Sequence, residues 1–111
     1  MNDISEENLK KIQELQILEQ NLQNILIQKQ AFQFEENEII SALEELKNSE
    51  DDVYKIIGQV MVKSSKQNME KELKSKKEII QLRLKNLEKQ ESMLKDKAAA
   101  LREEVLKEIN K

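Results

Sequence analysis

The stretch Val53-Tyr54-Lys55-Ile56-Ile57-Gly58-Gln59-Val60-Met61-Val62-Lys63 decides the fold, because it alone departs from the helical pattern of a 111-residue chain. It is rich in β-branched residues and holds the only tyrosine and the only glycine of the sequence. Such residues suit a pleated strand, and glycine reaches left-handed turn conformations without steric cost. The segment therefore reads as two short strands turning near Gly58. Just before it, Asn48, Ser49, Glu50, Asp51 and Asp52 are poor helix formers, or acids placed where a helix C-terminus disfavours negative charge.

Outward from this ribbon the period becomes that of a coiled coil. Upstream, Leu15, Leu18, Leu22, Ile25, Lys29, Phe32, Glu36, Ile39, Leu43 and Leu46 follow steps of three and four residues. Downstream, Leu73, Lys77, Ile80, Leu84, Leu87, Glu91, Leu94, Ala98, Leu101 and Val105 do the same. Each ladder is mostly apolar and wants a partner helix. Because the connection is short, the two must run antiparallel. The expected fold is mainly α: a single domain over residues 1–111, with a helix over about 4–48, a β-hairpin over about 53–63 and a helix over about 65–110. For the second helix, Ser64 with Gln67 forms a capping-box pattern and Ser65 is an equal candidate. Asp3 with Glu6 offers a weaker start signal for the first.

Composition agrees. Proline is absent, aromatic residues are 3% and charged residues 37%, which suits long helices better than a globular core. With no cysteine and no histidine, the usual nucleophiles, general bases and metal ligands are missing, so neither enzymatic activity nor a cofactor is expected. No apolar run approaches the length that spans a bilayer, and residues 1–11 lack the apolar centre of a signal peptide, so a soluble cytoplasmic protein is expected. Residues 1–62 carry five basic against thirteen acidic side chains and residues 63–111 fourteen against nine. That asymmetry fits two helices lying side by side. The acids interspersed in the second half dilute any field for phosphate, so nucleic acid is not an expected partner, and the acidic polar face argues against a membrane surface.

The hairpin demands more than one chain. A lone two-stranded ribbon is marginal in water. Alternation puts Val53 and Ile57 on the face opposite Tyr54 and Ile56, and Val60 and Val62 opposite Met61, so both faces are apolar. One face can rest on the base of the coiled coil; the other, with two open edges, invites strands from neighbouring chains. The competing arrangement is a monomer whose coiled-coil end these residues cap. Lys55 and Lys63 are candidate edge gatekeepers.

The run Val53, Tyr54, Lys55, Ile57, Gly58, Val60 and Val62, followed by Ser64-Ser65-Lys66, Leu73 and Leu87-Glu88-Lys89-Gln90-Glu91, resembles the β-type prefoldin family along essentially the whole chain. A single hairpin fits the β type, the α type having two. The resemblance implies a molecular chaperone subunit, a holdase working without ATP. It implies a hexamer of two α-type and four β-type subunits whose hairpins form inter-subunit β-barrels, with Val53, Tyr54, Ile56, Ile57, Gly58, Val60, Met61 and Val62 as the joining residues. It also implies unfolded or nascent clients held at the coiled-coil tips and delivered to a group II chaperonin. In the expected fold both termini meet at the free tip, so Ile4, Leu9, Ile12, Leu101, Val105, Leu106 and Ile109 are the candidate client-binding residues. Leu9 and Ile12 fall off the heptad extrapolated back from Leu15, which suggests loose local register. A structural coiled-coil adaptor or tether without client binding is the rival function.

Two further expectations concern the helices. Ile17, Ile27, Phe34, Ile79 and Leu82 lie beside the ladders and are read mainly as widening the core stripe, with contacts to clients or subunits as the alternative. Glu36 and Lys77 interrupt the ladders at similar heights, either as a register-fixing ion pair or as long side chains reaching water.

Overall fold

Ser5 starts the first helix. In the computed structural model of the chain, which describes residues 5–50 and 52–110, its hydroxyl accepts a hydrogen bond from the Asn8 N–H at 3.1 Å. Its carbonyl accepts one from the Leu9 N–H at 3.0 Å. These satisfy donors that the first turn cannot, and Glu6 and Glu7 complement the helix dipole there. Asp3, the cap expected from the sequence, lies outside the described residues. Helix α1 runs Glu6–Asn48, strand β1 Val53–Ile57, strand β2 Val60–Ser64 and helix α2 Lys66–Ile109. Of the two candidate caps for α2, Ser65 is the one used: its hydroxyl accepts from the Asn68 N–H at 3.1 Å, while Ser64 closes β2 opposite Val53.

α1 ends without a glycine. The Lys66 ammonium, at the first position of α2, donates to the carbonyls of Lys47 and Ser49, each at 3.1 Å. A cation there serves both the orphan carbonyls and the negative pole of the helix.

β1 and β2 pair antiparallel, with Ile57 opposite Val60, Ile56 opposite Met61, Lys55 opposite Val62 and Tyr54 opposite Lys63. Gly58 has φ +61°, and no other residue among those described has positive φ. Positive φ at the first central position only is the signature of a type II′ turn, whose twist matches that of the strands. A Cβ at Gly58 would meet nothing within 4 Å, so substitution there costs conformational strain alone. Gly58→Val is expected to weaken the hairpin by about 1–3 kcal/mol. Hydrogen exchange should report it as faster exchange in β1 and β2, with the helical amides unchanged.

The chain forms two compact units, one of Met1–Lys29 with Asn86–Lys111 and one of Gln30–Lys85. Within each, every ladder position is buried or half-buried, and from Gln13 to Asn48 no other position of α1 is. In the second unit Ile39, Ile80 and Leu84 form the core, flanked by Phe32, Leu43 and Leu73, and the Arg83 guanidinium lies 5.7 Å from the Phe32 ring centre. In the first unit Ile25, Leu87, Ala98 and Val105 are buried. There the polar ladder residues meet, the Lys29 ammonium lying 3.1 Å from the Glu91 carboxylate.

One of two alternatives for the helices is decided, and one expectation is corrected. Glu36 and Lys77 form no ion pair. Ile39 packs with Ile80 and Leu84, so in antiparallel helices Glu36, a turn earlier in α1, stands level with residues beyond Ile80 and not with Lys77 before it. Nor do Ile17, Ile27, Phe34, Ile79 and Leu82 widen the core: all five are exposed. A pair of helices encloses only the narrow a/d strip, and a wider stripe would need a third helix to cover it.

Candidate functional site

Two of the surfaces that carry unpartnered apolar groups are the hairpin and the terminal end of the helices, and each belongs to its own unit. The first is the hairpin. Its register places Tyr54, Ile56, Met61 and Lys63 on one face and Val53, Lys55, Ile57, Val60, Val62 and Ser64 on the other. Ile56 is 70% exposed and Met61 65%, and Tyr54, Ile57, Val60 and Val62 are exposed too. The rest of the unit covers only the foot of the second face, where Val53, Lys55 and Ser64 are half-buried. The expectation that one whole face rests on the helices is thus too generous: Ile57, Val60 and Val62 of that face remain in water. Among the described residues the sheet has two strands only, so each strand has an open edge.

Neither lysine of the hairpin simply projects from an edge. Lys55 reaches back from the half-covered face to form an ion pair with Glu72 of α2. The hydrogen bond from Lys55 is the main cause holding the Glu72 carboxyl below the usual carboxylate range. Lys63 lies 3.8 Å from Asp52, both well exposed. The ribbon is tethered to α2 by a charge at its foot while its apolar outer half stays free.

The second surface is the terminal end of the first unit, where α1 begins and α2 finishes. Counting back from Leu15 in strict heptad steps lands on Lys11 and Asn8, and these are the residues that turn inward. Asn8 is only 5% exposed, and its Oδ1 has no hydrogen-bond partner among the described residues. Lys11 is half-buried, its ammonium 3.5 Å from Glu104 and 3.9 Å from Glu7. The seam therefore keeps its register here and changes its chemistry, where looseness had been expected. The apolar side chains are displaced to the outside: Leu106 is 52% exposed, and Leu9 and Ile109 nearly as much.

The other candidates at this end are placed differently. Val105 is buried and Ile12 and Leu101 are half-buried, so they support the seam in this structure; Ile4 lies outside the described residues. Asn8 and Lys11 are not legible from apolar periodicity, because both are polar. The signal was the heptad count itself, which points to them directly.

Comparison with known proteins places these features. The family model described as prefoldin subunit matches residues 9–111. The prefoldin subunit beta of Pyrobaculum calidifontis is 37% identical over 92 residues, covering 81% of this chain and 74% of that protein. That of Saccharolobus islandicus is 37% identical over 98 residues, covering 86% and 78%. The crystal structure of the prefoldin beta subunit from Thermococcus strain KS-1 superposes with a TM-score of 0.92 at 32% identity, covering 100% of this chain and 99% of that one. Two long helices joined through one short antiparallel hairpin, shared with these proteins over most of the sequence, show that the chain belongs to the prefoldin β-subunit family.

Proposed function

We infer that this chaperone subunit, residues 1–111 acting as one prefoldin-like domain, is a holdase that grips unfolded polypeptides at the end where its termini meet. The observation that carries the reading is the inversion at that end: Asn8 and Lys11 occupy the seam while Leu9, Leu106 and Ile109 face water. Exposed apolar groups at a helix end have no folding role to offset their hydration, and they suit weak, multivalent contacts with many unrelated sequences. Ile4 completes the grip in this reading, and Ile12, Leu101 and Val105 back it from the seam. Prefoldin family members form hetero-oligomers with other prefoldin subunits. Here the exposed hairpins of this chain, of other β-type copies and of an α-type partner would knit into a shared β-barrel within an α2β4-like hexamer, with delivery to a group II chaperonin and without ATP.

A tether without client binding would keep the coiled coil but have no use for the outward leucines. Replacing Leu9, Leu106 and Ile109 together with serine separates the two. For the holdase, affinity for a permanently unfolded probe, reduced and carboxymethylated α-lactalbumin, should fall by about tenfold or more, since each buried apolar side chain contributes on the order of 1 kcal/mol. The native mass of the assembly should not change. Unaltered affinity would reject the grip at this end and favour the tether.

A further inference from the structure

One face of the second unit carries charges of both signs, sorted to opposite sides. Between α1 and α2 runs an open groove of about 470 Å³, floored by buried Ile39 and Ile80 and edged by exposed Ala42 and Ile79. Its α1 lip carries Glu35 and Glu38, and its α2 lip carries Lys76 and Arg83. Glu45, exposed and one heptad on from Glu38, continues the acidic lip. Arg83 lies over the Phe32 ring, but none of these five groups forms an ion pair among the described residues. On the opposite face of the unit charges are in use: Lys66 holds two carbonyls, and Lys74 lies 2.8 Å from Glu70.

Sign and height together select the occupant. Because Ile39 packs with Ile80 and Leu84 in antiparallel helices, Glu38 stands level with Arg83, Ala42 with Ile79 and Glu45 with Lys76. A second copy laid face to face supplies the complement itself, provided that the two-fold axis runs parallel to the helices. That rotation leaves every height unchanged and sets each acidic lip against a basic one. Glu38 then meets Arg83 of the second copy, Glu45 meets Lys76, and Ala42 meets Ile79. A two-fold axis across the helices would instead set acid on acid and base on base. Charge thus fixes the orientation of the pair. Both hairpins come out at the same end, where a shared β-barrel requires them.

We propose that this groove is where two copies of the chain lie side by side next to their hairpins, making a short four-helix layer. The proposal rests on the shared hairpin joint inferred above and adds a second contact to it. In the pair the exposed flank of Ile79 is covered, and each lip gains partners of opposite sign. From Glu38 to Glu45 is about 10 Å of helix, and so short a contact falls below the roughly 1,200 Å² of buried surface that holds free proteins together. It therefore forms between copies that their hairpins already keep at high effective concentration, and chains whose hairpins fail to join stay apart.

The sequence has no cysteine, so introduced thiols report the contact without background. Ala42→Cys copies and Ile79→Cys copies, mixed in equal amounts, are assembled with an α-type partner free of cysteine and mildly oxidised. Random encounters would give mixed and like disulfides in comparable amounts, whereas paired grooves should give the mixed disulfide in about tenfold excess. Adding Glu38→Lys and Glu45→Lys to both copies should remove that excess, and adding Lys76→Glu and Arg83→Glu as well should restore it. A far-ultraviolet helical signal at the parent value checks that each variant folds. No mixed disulfide, no excess over the like ones, or an excess indifferent to charge reversal overturns the proposal; a groove filled by the α-type partner would give the first of these. Native mass separates this contact from the joint. An assembled parent without the mixed disulfide rejects the groove contact alone, whereas a parent with the mass of the free chain rejects the joint and the groove contact with it.

Discussion

Substituting Ile56→Asp together with Val60→Asp is expected to convert the assembly into folded monomers. The two residues lie on opposite faces of the ribbon and both are largely in water in the single chain, so neither aspartate disturbs anything the chain makes by itself. In a shared β-barrel one face of every hairpin becomes interior, and an unpaired carboxylate there loses its hydration at a cost of several kcal/mol. With a charge on each face, no orientation of the ribbon avoids that loss. Native mass measured alone and with an α-type partner should therefore fall to that of the free chain, while the far-ultraviolet helical signal stays at the parent value. An unaltered mass would mean that the hairpin is not the joint.

The second large effect concerns the ion pair in the seam. The Lys29 and Glu91 side chains are 17% and 18% exposed, so both have surrendered most of their water. Lys29→Leu alone leaves the Glu91 carboxylate against an apolar neighbour and should destabilise the chain by about 1–3 kcal/mol. Replacing both with leucine should raise stability above the parent by about 1–4 kcal/mol, because a well-packed apolar layer avoids desolvating two charges. Urea midpoints of the parent, the single and the double variant should fall in the order single, parent, double. The double variant would lose a polar layer that helps to fix the vertical alignment of the helices, since leucine packs acceptably against leucine in neighbouring registers. A double variant less stable than the parent would show that the pair contributes net stability.

The fold was legible in this sequence wherever periodicity carries it. Both ladders were readable position by position because burial in a two-helix seam follows the heptad strictly, and the hairpin was readable because β-branched residues around one glycine break that period. What escaped were features set by tertiary geometry or by polar residues in apolar roles. The start at Ser5 was missed because its third neighbour is Asn8 and not Glu or Gln. The closure of α1 by Lys66 depends on a residue 18 positions away from Asn48, across the hairpin. The alignment of Lys29 with Glu91, and not of Glu36 with Lys77, follows from the helical register, which heptads alone leave undetermined. At the terminal end the apolar residues mark the outward positions, and the polar continuation of the seam at Asn8 and Lys11 looks in sequence like a break in it. The flanking isoleucines were given to the core because a stripe that wide normally finds cover, and here only one helix is available to cover it.

The Lys66 clamp has a mechanical meaning. One ammonium holds the carbonyls of Lys47 and Ser49 where α2 sets out, so the segment from Glu50 to Ser65 leaves and re-enters at a single pinched neck. Closing so short a loop there costs little additional chain entropy. In the shared β-barrel proposed above, the ribbon would then peel away from one set of neighbouring strands and join another while the helical pair stays intact.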